Sequence, residues 1–272
     1  MSALDETIAE IRAHHRQRIY AMEQRKRADL SLGAFLRVVL GWSLALPEAE
    51  REAIRKQAAE MISIGEAITK GKPVETNIAF ETYRRPILLS IMARAPFDEF
   101  ETEETKAMEK LAMTLPAWAW AEGVRGLSAR GLAVIVGEAG DIGNYATVSK
   151  LWKRCGLAVM DGVRQGGLPK NASKETWIAH GYNRQRRSRL WVIGDVLMKT
   201  NGDGPYRAVY DLRREYTAVT HPDWTKMHSH LDAQRVMTKR LLRDLWRAWR
   251  ETSTHQATDA PLSPAAESRD AA

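Results

Sequence analysis

The glycines between residues 123 and 167 constrain this chain more than any other feature, because they fix where helices can begin and end. An apolar segment at 129–138 has the composition of a buried helix, and Gly140 follows it at a position typical of a helix end. A second, amphipathic segment at 148–154 is followed closely by Gly156. The sequence therefore predicts two helices of defined length within one stretch.

The bend that precedes the first of these helices contains Gly126 and Ser128. Helix, tight glycine bend and helix together form the layout of the helix-hairpin-helix DNA-binding unit. In such a unit the glycine lets the backbone approach a phosphate, and the N–H groups at a helix start face the anion. We therefore expect phosphate contacts at Gly126, Ser128 and the neighbouring Arg130, without readout of the base sequence. The simpler alternative is that the bend only connects two helices.

Positive charge is concentrated around and just after the second predicted helix. The chain carries a net charge of +7, and residues 151–200 alone hold 10 basic and 3 acidic side chains, which is also +7. Residues 201–250 add 10 basic and 6 acidic side chains. A positive field confined to one segment is typical of a nucleic-acid-binding surface, and a solvated basic face is the alternative. The cations predicted to contact phosphate here are Lys150, Lys153, Arg164, Lys170, Arg184, Arg186, Arg187 and Arg189.

Two segments within this basic region have a predicted local structure. The glycine-rich segment 162–174 is predicted to be a loop that contacts phosphate through Arg164 and Lys170. Asn183 is well placed to cap a helix over 184–198. The arginines in the first turn of that helix oppose its dipole, and a bound phosphate would relieve the repulsion.

The pattern over the whole chain predicts an all-α protein, because no strand pattern of useful length is present. Residues 1–115 are predicted to be a helical arm, and its apolar spacing is compatible with a coiled coil or a homodimer. Within the arm, Pro96 is expected to separate two helices. Residues 116–250 form the predicted DNA-binding domain, and residues 251–272 are predicted to be a disordered tail because they lack apolar side chains to bury.

Composition excludes several classes of protein and site. The single cysteine, Cys155, excludes an internal disulfide and suits a reducing cytoplasm. No secretory signal and no apolar segment long enough to span a membrane is evident. The acidic run at 98–104 is predicted to complement a helix dipole rather than to bind Mg²⁺. His228 and His230 point to different sides of a helix, so we predict no metal there, and we expect no cofactor.

Six short motifs occur in a fixed order along the second half of the chain. They are Gly126-Leu127-Ser128, Glu138-Ala139-Gly140-Asp141, Lys150-Leu151, Gly156-Leu157, Gln165-Gly166-Gly167, and Gly181-Tyr182-Asn183 with Arg186 and Arg187. In order and spacing they resemble the C-terminal domain of bacterial insertion-sequence transposases of the one-ten/one-sixteen/nine-oh-two type, over about residues 116–250. Active members of that family pair a RuvC-like nuclease domain with this serine-bearing domain. The resemblance implies a DNA-binding domain that acts in transposition or recombination.

Two departures from that family bear on function. The resemblance places the presumed nucleophilic serine at Gly166, which has no side chain, and no strand carrying the aspartate of a RuvC-like domain precedes it. We therefore expect a protein that binds duplex or junction DNA without a catalytic centre of its own. One alternative is an active recombinase that uses a displaced serine, Ser173 or Ser188, or a nuclease domain supplied by a partner. Another is an adaptor acting through the helical arm, and RNA is a further partner, since members of the family use a guide RNA.

Overall fold

The computed structural model describes residues 2–258, and α-helices account for nearly all of its regular structure. The predicted all-α class is confirmed. The strands in the described residues are limited to one antiparallel pair of two residues each. Within the same residues, no helix combines the length and the apolar character that crossing a bilayer requires.

The chain divides into two compact units. The arm unit comprises residues 13–107, and the larger unit comprises residues 1–12 together with those from 108 onward. Both divisions fall inside long helices, α1 (Ala3–Val39) and α3 (Ile78–Ala112), and the second lies shortly before the boundary predicted at residue 115. The other elements are α2 (Glu48–Thr69), α4 (Trp118–Glu122), α5 (Ala129–Ala139), a 3-10 turn (Ile142–Asn144), α6 (Val148–Arg154), β1 (Val159–Met160), β2 (Val163–Arg164), α7 (Lys174–His180), α8 (Arg184–Thr200), α9 (Pro205–Thr220) and α10 (Lys226–Thr258). Helix α10 thus covers the first part of the predicted tail, and residues 259–272 lie outside the described residues.

In the arm unit, α1, α2 and α3 pack around an apolar core that includes Leu36, Met61 and Phe80. The acidic run at 98–104 lies inside α3 and faces cations of α1, so its main role is to join two helices rather than to complement a helix start. Its contacts are Arg18 with Glu101, Arg25 with Asp98 and Glu101, and His14 with Glu104.

Helix α3 continues through both of its prolines, so the break predicted near Pro96 is wrong. The helix is kinked instead at Tyr83, which has a φ of −112° and a ψ of 16°. Pro86 explains the kink, because its ring and its missing N–H disturb the turn before it. Across Pro96, the helix is bridged by the ion pair between Arg94 and Asp98 at 3.2 Å.

The core of the larger unit is centred on α5, whose residues 132–136 are all buried. Helix α10 packs along α9, α8 and α6 and buries Trp249 completely. Ile8 and Ile11, at the start of α1, belong to the same core.

Gly140 and Asn183 set helix ends as the sequence predicts, and Ser128, which was predicted to contact phosphate, is a cap as well. Ser128 caps the start of α5, Gly140 ends it with a φ of +83°, and Asn183 caps α8 by accepting a hydrogen bond from Arg186 N at 2.8 Å. The β1–β2 hairpin was not predicted. Its turn is Asp161-Gly162, with positive φ at both residues, a pair that favours the tight turn of a two-residue hairpin.

Candidate nucleic-acid interface

Gly126 lies against the C-terminal end of α8 with a φ of +99°. A Cβ atom at this position would overlap Thr200 Oγ1 and would lie 3.2 Å from Leu197 Cα. The close approach that this glycine allows is therefore one between the bend and α8, not between the bend and a phosphate. This packing alone explains why the bend needs glycine.

The two polar side chains predicted beside this bend both have partners in the larger unit. Ser128 Oγ accepts a hydrogen bond from Gly131 N at 3.3 Å, and so serves as the N-cap of α5. Arg130 is exposed, and its Nε donates to Glu109 Oε1 at 2.7 Å. The bend thus has a structural role that is independent of any phosphate.

Two of the predicted arginines near the start of α8 share the carboxylate of Glu138, which is only 9% exposed. Arg186 Nε donates to Glu138 Oε2 at 3.2 Å, and Arg189 Nη1 donates to Oε1. Arg186 Nη1 also donates to the carbonyl of Arg154 at the end of α6, at 3.1 Å. Burial lowers the pKa of Arg186, and the charge of Arg154 lowers it further. The sequence suggested that a phosphate would neutralise the arginines at the start of α8. For Arg186 and Arg189, Glu138 supplies that negative charge instead.

Two groups of the predicted phosphate-contacting residues lie at opposite ends of α8. Gly126 packs on Leu197 and Thr200, whereas Arg184 to Arg189 occupy the opposite end. At about 1.5 Å of rise per residue, Arg186 and Leu197 are separated by about 17 Å along the helix axis. The structure therefore groups the arginines with α6 and the hairpin, and not with the glycine bend.

Asp232 is a second buried carboxylate that two arginines share. Arg164 Nη2 and Arg213 Nε each donate to one of its oxygens at 2.6 Å, which joins β2, α9 and α10. The side chain of Arg164 is still 47% exposed, and its guanidinium lies 5.1 Å from the centroid of the Trp224 ring. Arg164 is thus both anchored and accessible.

Gln165 attaches the hairpin to α7. Its Nε2 donates to the carbonyl of His180 at 3.0 Å, and its Oε1 accepts from Ala158 N at 3.3 Å. The His180 ring Nε2 lies 2.8 Å from the carbonyl oxygen of Gly166. At Gly166, where the resembled family has a serine, this chain therefore has only a backbone carbonyl, which is in contact with the His180 imidazole.

The other predicted cations have no ion pair in the described residues. Lys150, Lys170 and Arg184 are exposed, and Lys153 is half-buried on α6. They are accessible positive charges on the same unit as the arginines.

Cations from α6, β2, α8 and α10 lie close enough to lower one another's pKa. We call this group the basic cluster, and its members are Arg154, Arg164, Arg186, Arg187, Arg235 and Lys239. Arg187 packs against Gly156, where a Cβ atom would lie 3.2 Å from Arg187 Cβ. Arg235 Nη2 donates to the carbonyls of Leu157 and Ala158 at 2.9 and 2.6 Å. Lys239 Nζ lies 4.0 Å from the centroid of the Trp152 ring.

Burial lowers the pKa of Arg187, Arg235 and Lys239. The positive charges of Arg164 and Arg187 lower the pKa of Arg235 further, and Arg235 does the same to Lys239. None of these three cations forms an ion pair with a carboxylate in the part of the chain that the structure describes, although the charge of Asp232 partly offsets the shift of the Arg235 pKa. Burial disfavours all three charges, and neighbouring cations disfavour those of Arg235 and Lys239 further, so a bound anion would stabilise them.

Sequence reasoning missed Arg154, Arg235 and Lys239. A usable signal was present in α10, because Asp232, Arg235 and Lys239 are spaced three and four residues apart and so share one helix face. Arg154 directly follows the predicted Lys153, at the end of α6. The sequence does not show which elements pack beside Asp232, Arg235 and Lys239, because that depends on the tertiary structure.

The chemistry available at this site is electrostatic. Glu138 and Asp232 are each committed to two arginines, and burial raises the pKa of Cys155 to about 12, so that its thiol stays neutral. Among residues 2–252, no group of three or more His, Cys, Asp and Glu side chains is arranged to hold a metal ion.

A shallow cavity of about 320 Å³ borders the cluster. Its lining residues are Trp152, Val209, Val236, Lys239, Arg240 and Arg243.

No protein-family model, curated protein or solved structure matches this chain. The function proposed below therefore rests on the residues of this site and on the six sequence motifs.

Proposed function

We propose that this protein binds DNA through its phosphate backbone, with the basic cluster at the centre of the contact. The observation that carries the proposal is the set of three partly buried cations, Arg187, Arg235 and Lys239, that have no carboxylate partner among the described residues. Arginine binds phosphate oxygens well, often through two hydrogen bonds, and a phosphate would offset the burial of the three charges and the repulsion at Arg235 and Lys239.

Four further cations of the larger unit fit the same role. Lys150, Lys153, Lys170 and Arg184 have no ion pair in the described residues and can add phosphate contacts at small cost. Contacts of this kind fix position on DNA but carry no sequence information. We therefore propose binding that depends on charge and backbone shape, to duplex or junction DNA.

The resemblance to insertion-sequence transposases favours a role in transposition or recombination, without catalysis by this chain. Gly166 offers no nucleophile, and the hydroxyl of Ser173 accepts a hydrogen bond from Thr176 N as the N-cap of α7. Any strand cleavage would then be carried out by another protein.

Salt-dependent binding to a duplex tests the proposal. With about six to ten phosphate contacts, the affinity measured by fluorescence anisotropy is expected to fall by roughly 10³–10⁵ between about 50 and 200 mM salt. A variant with Lys150→Gln, Lys153→Gln, Lys170→Gln and Arg184→Gln should bind more weakly and reduce the salt slope by about 1 for each phosphate that it no longer neutralises.

A matched control removes the same number of charges from the arm unit. Its changes are Lys56→Gln, Lys72→Gln, Arg85→Gln and Lys106→Gln, all at exposed positions. We expect this control to keep most of the affinity. Equal losses in both variants would mean that only net charge matters, and no binding at low salt would overturn the proposal.

A further inference from the structure

The turn between α9 and α10 carries two stacked aromatic rings outside the hydrophobic core. His221 and Trp224 lie with their ring centroids 4.1 Å apart and their planes 7° from parallel. The turn is closed by a hydrogen bond from Trp224 N to the His221 carbonyl at 3.0 Å, and Pro222 prevents α9 from continuing. Both rings are half-buried and so keep accessible surface.

One arginine lies over the Trp224 ring of this stack, and a second lies over a different ring of α9. Arg164 lies 5.1 Å from the Trp224 centroid while it donates to Asp232. Arg213, the other arginine on Asp232, lies 4.6 Å from the centroid of Tyr216, which is 51% exposed. Each arginine that Asp232 anchors therefore lies over an accessible aromatic ring.

The three histidines near this turn have roles other than metal binding. The His221 ring is stacked on Trp224, and the His228 ring meets the edge of Trp224 at 6.4 Å. His230 Nδ1 lies 2.7 Å from the Tyr210 hydroxyl. The arrangement is thus an aromatic surface and not a metal site.

From this geometry we infer that the His221–Trp224 stack, with Arg164 over Trp224, is a binding platform for unpaired nucleotide bases. Accessible aromatic rings interleaved with cations bind single strands, because every base has a π face and every nucleotide a phosphate. Bases within a duplex are already stacked on each other and cannot use such rings. The inference rests on the proposed function and adds a substrate class to it, namely a single-stranded segment next to the phosphate contacts. Single-stranded DNA and RNA share this chemistry.

Oligonucleotides that contain 2-aminopurine test the platform, because the fluorescence of this base changes when it stacks. We would titrate the full chain with unpaired DNA and RNA oligomers of about twelve nucleotides and with a duplex. His221→Ala and Trp224→Ala are each expected to lower single-strand affinity by about tenfold and to abolish the 2-aminopurine signal. Duplex affinity should change by less than about twofold in His221→Ala, which leaves Arg164 and its contact with Asp232 intact.

The control is Trp191→Ala, which removes another accessible tryptophan (37% exposed) that has no stacked ring or cation over it in the described residues. It should retain both single-strand affinity and the 2-aminopurine signal. Comparing the DNA and RNA oligomers shows which polymer the platform prefers. An unchanged single-strand affinity in His221→Ala, while the duplex still binds, would overturn this inference and leave the proposed function standing. Loss of all binding to every nucleic acid by the unmodified chain would overturn both.

Discussion

At the scale of single residues, Gly126 combines a φ of +99° with a position that has no room for a side chain. An L-residue there would adopt a left-handed backbone conformation and would also press a Cβ atom on α8. Both costs are independent of DNA, so that the glycine is explained by the fold.

We predict that Gly126→Ala lowers the free energy of unfolding by about 2–4 kcal/mol, measured by urea denaturation. Gly167→Ala is the matched control, because no atom lies within 4 Å of the point that its Cβ would occupy and its φ is outside the left-handed region. Its effect should stay within about 0.5 kcal/mol. Equal effects of the two changes would contradict the packing explanation.

Cys155 gives the stability of the protein a defined dependence on pH. Burial raises the pKa of its thiol from an ordinary value of 9.0 to about 12. Above about pH 9 the unfolded chain loses this proton while the folded chain keeps it, so stability falls as pH rises, by about 1.4 kcal/mol per pH unit. Between about pH 9 and pH 10, where the unfolded thiol is still partly protonated, the free energy of unfolding should fall by about 1 kcal/mol in the unmodified chain and by less in Cys155→Ala. The same slope in both would show that other groups cause it.

At the scale of elements, Glu138 connects the end of α5 to the start of α8 by accepting hydrogen bonds from Arg186 and Arg189. Because these arginine side chains are only 12% and 20% exposed, removing the carboxylate charge leaves two cations in a poorly solvated site.

We predict that Glu138→Gln destabilises the protein by about 3 kcal/mol, measured by chemical denaturation. Glu109→Gln, which breaks the exposed pair with Arg130, should cost at most about 1 kcal/mol. Since the change also removes a negative charge beside Arg186 of the basic cluster, the proposed DNA affinity at low salt should rise in the molecules that stay folded. A neutral effect on both properties would exclude this role for Glu138.

Element boundaries could be predicted from sequence where a local cap decides them. Ser128, Gly140 and Asn183 act within one turn of their own helix, and the helices they delimit agree closely with the prediction. Pro96 misled the prediction because the cost of its missing N–H is local, whereas the tertiary contacts of this part of α3 involve residues distant in sequence. Asp29 and Glu66, for example, both bind Arg94.

At the scale of the whole molecule, the sequence shows which segment carries the excess positive charge, but it does not show which of these charges lie together on one surface. The sequence showed that residues 151–200 are basic, yet Arg186 and Arg189 are paired with Glu138, while Arg235 and Lys239 reach the cluster from a helix far along the chain. The division into units was hidden for a related reason. It cuts α1 and α3 at positions 12/13 and 107/108, where the sequence continues in helical form without any glycine or proline.

The larger unit is built from both ends of the described chain, with the arm unit between them in sequence, and this has a consequence for synthesis on the ribosome. Ile8 and Ile11 are translated early, yet their core also contains Leu242, Leu245 and Trp249 of α10. Whereas domains commonly fold in the order of translation, this core cannot close until almost 250 residues have emerged. The start of α1 must therefore wait, with its apolar side chains uncovered, while the three helices of the arm unit can already assemble.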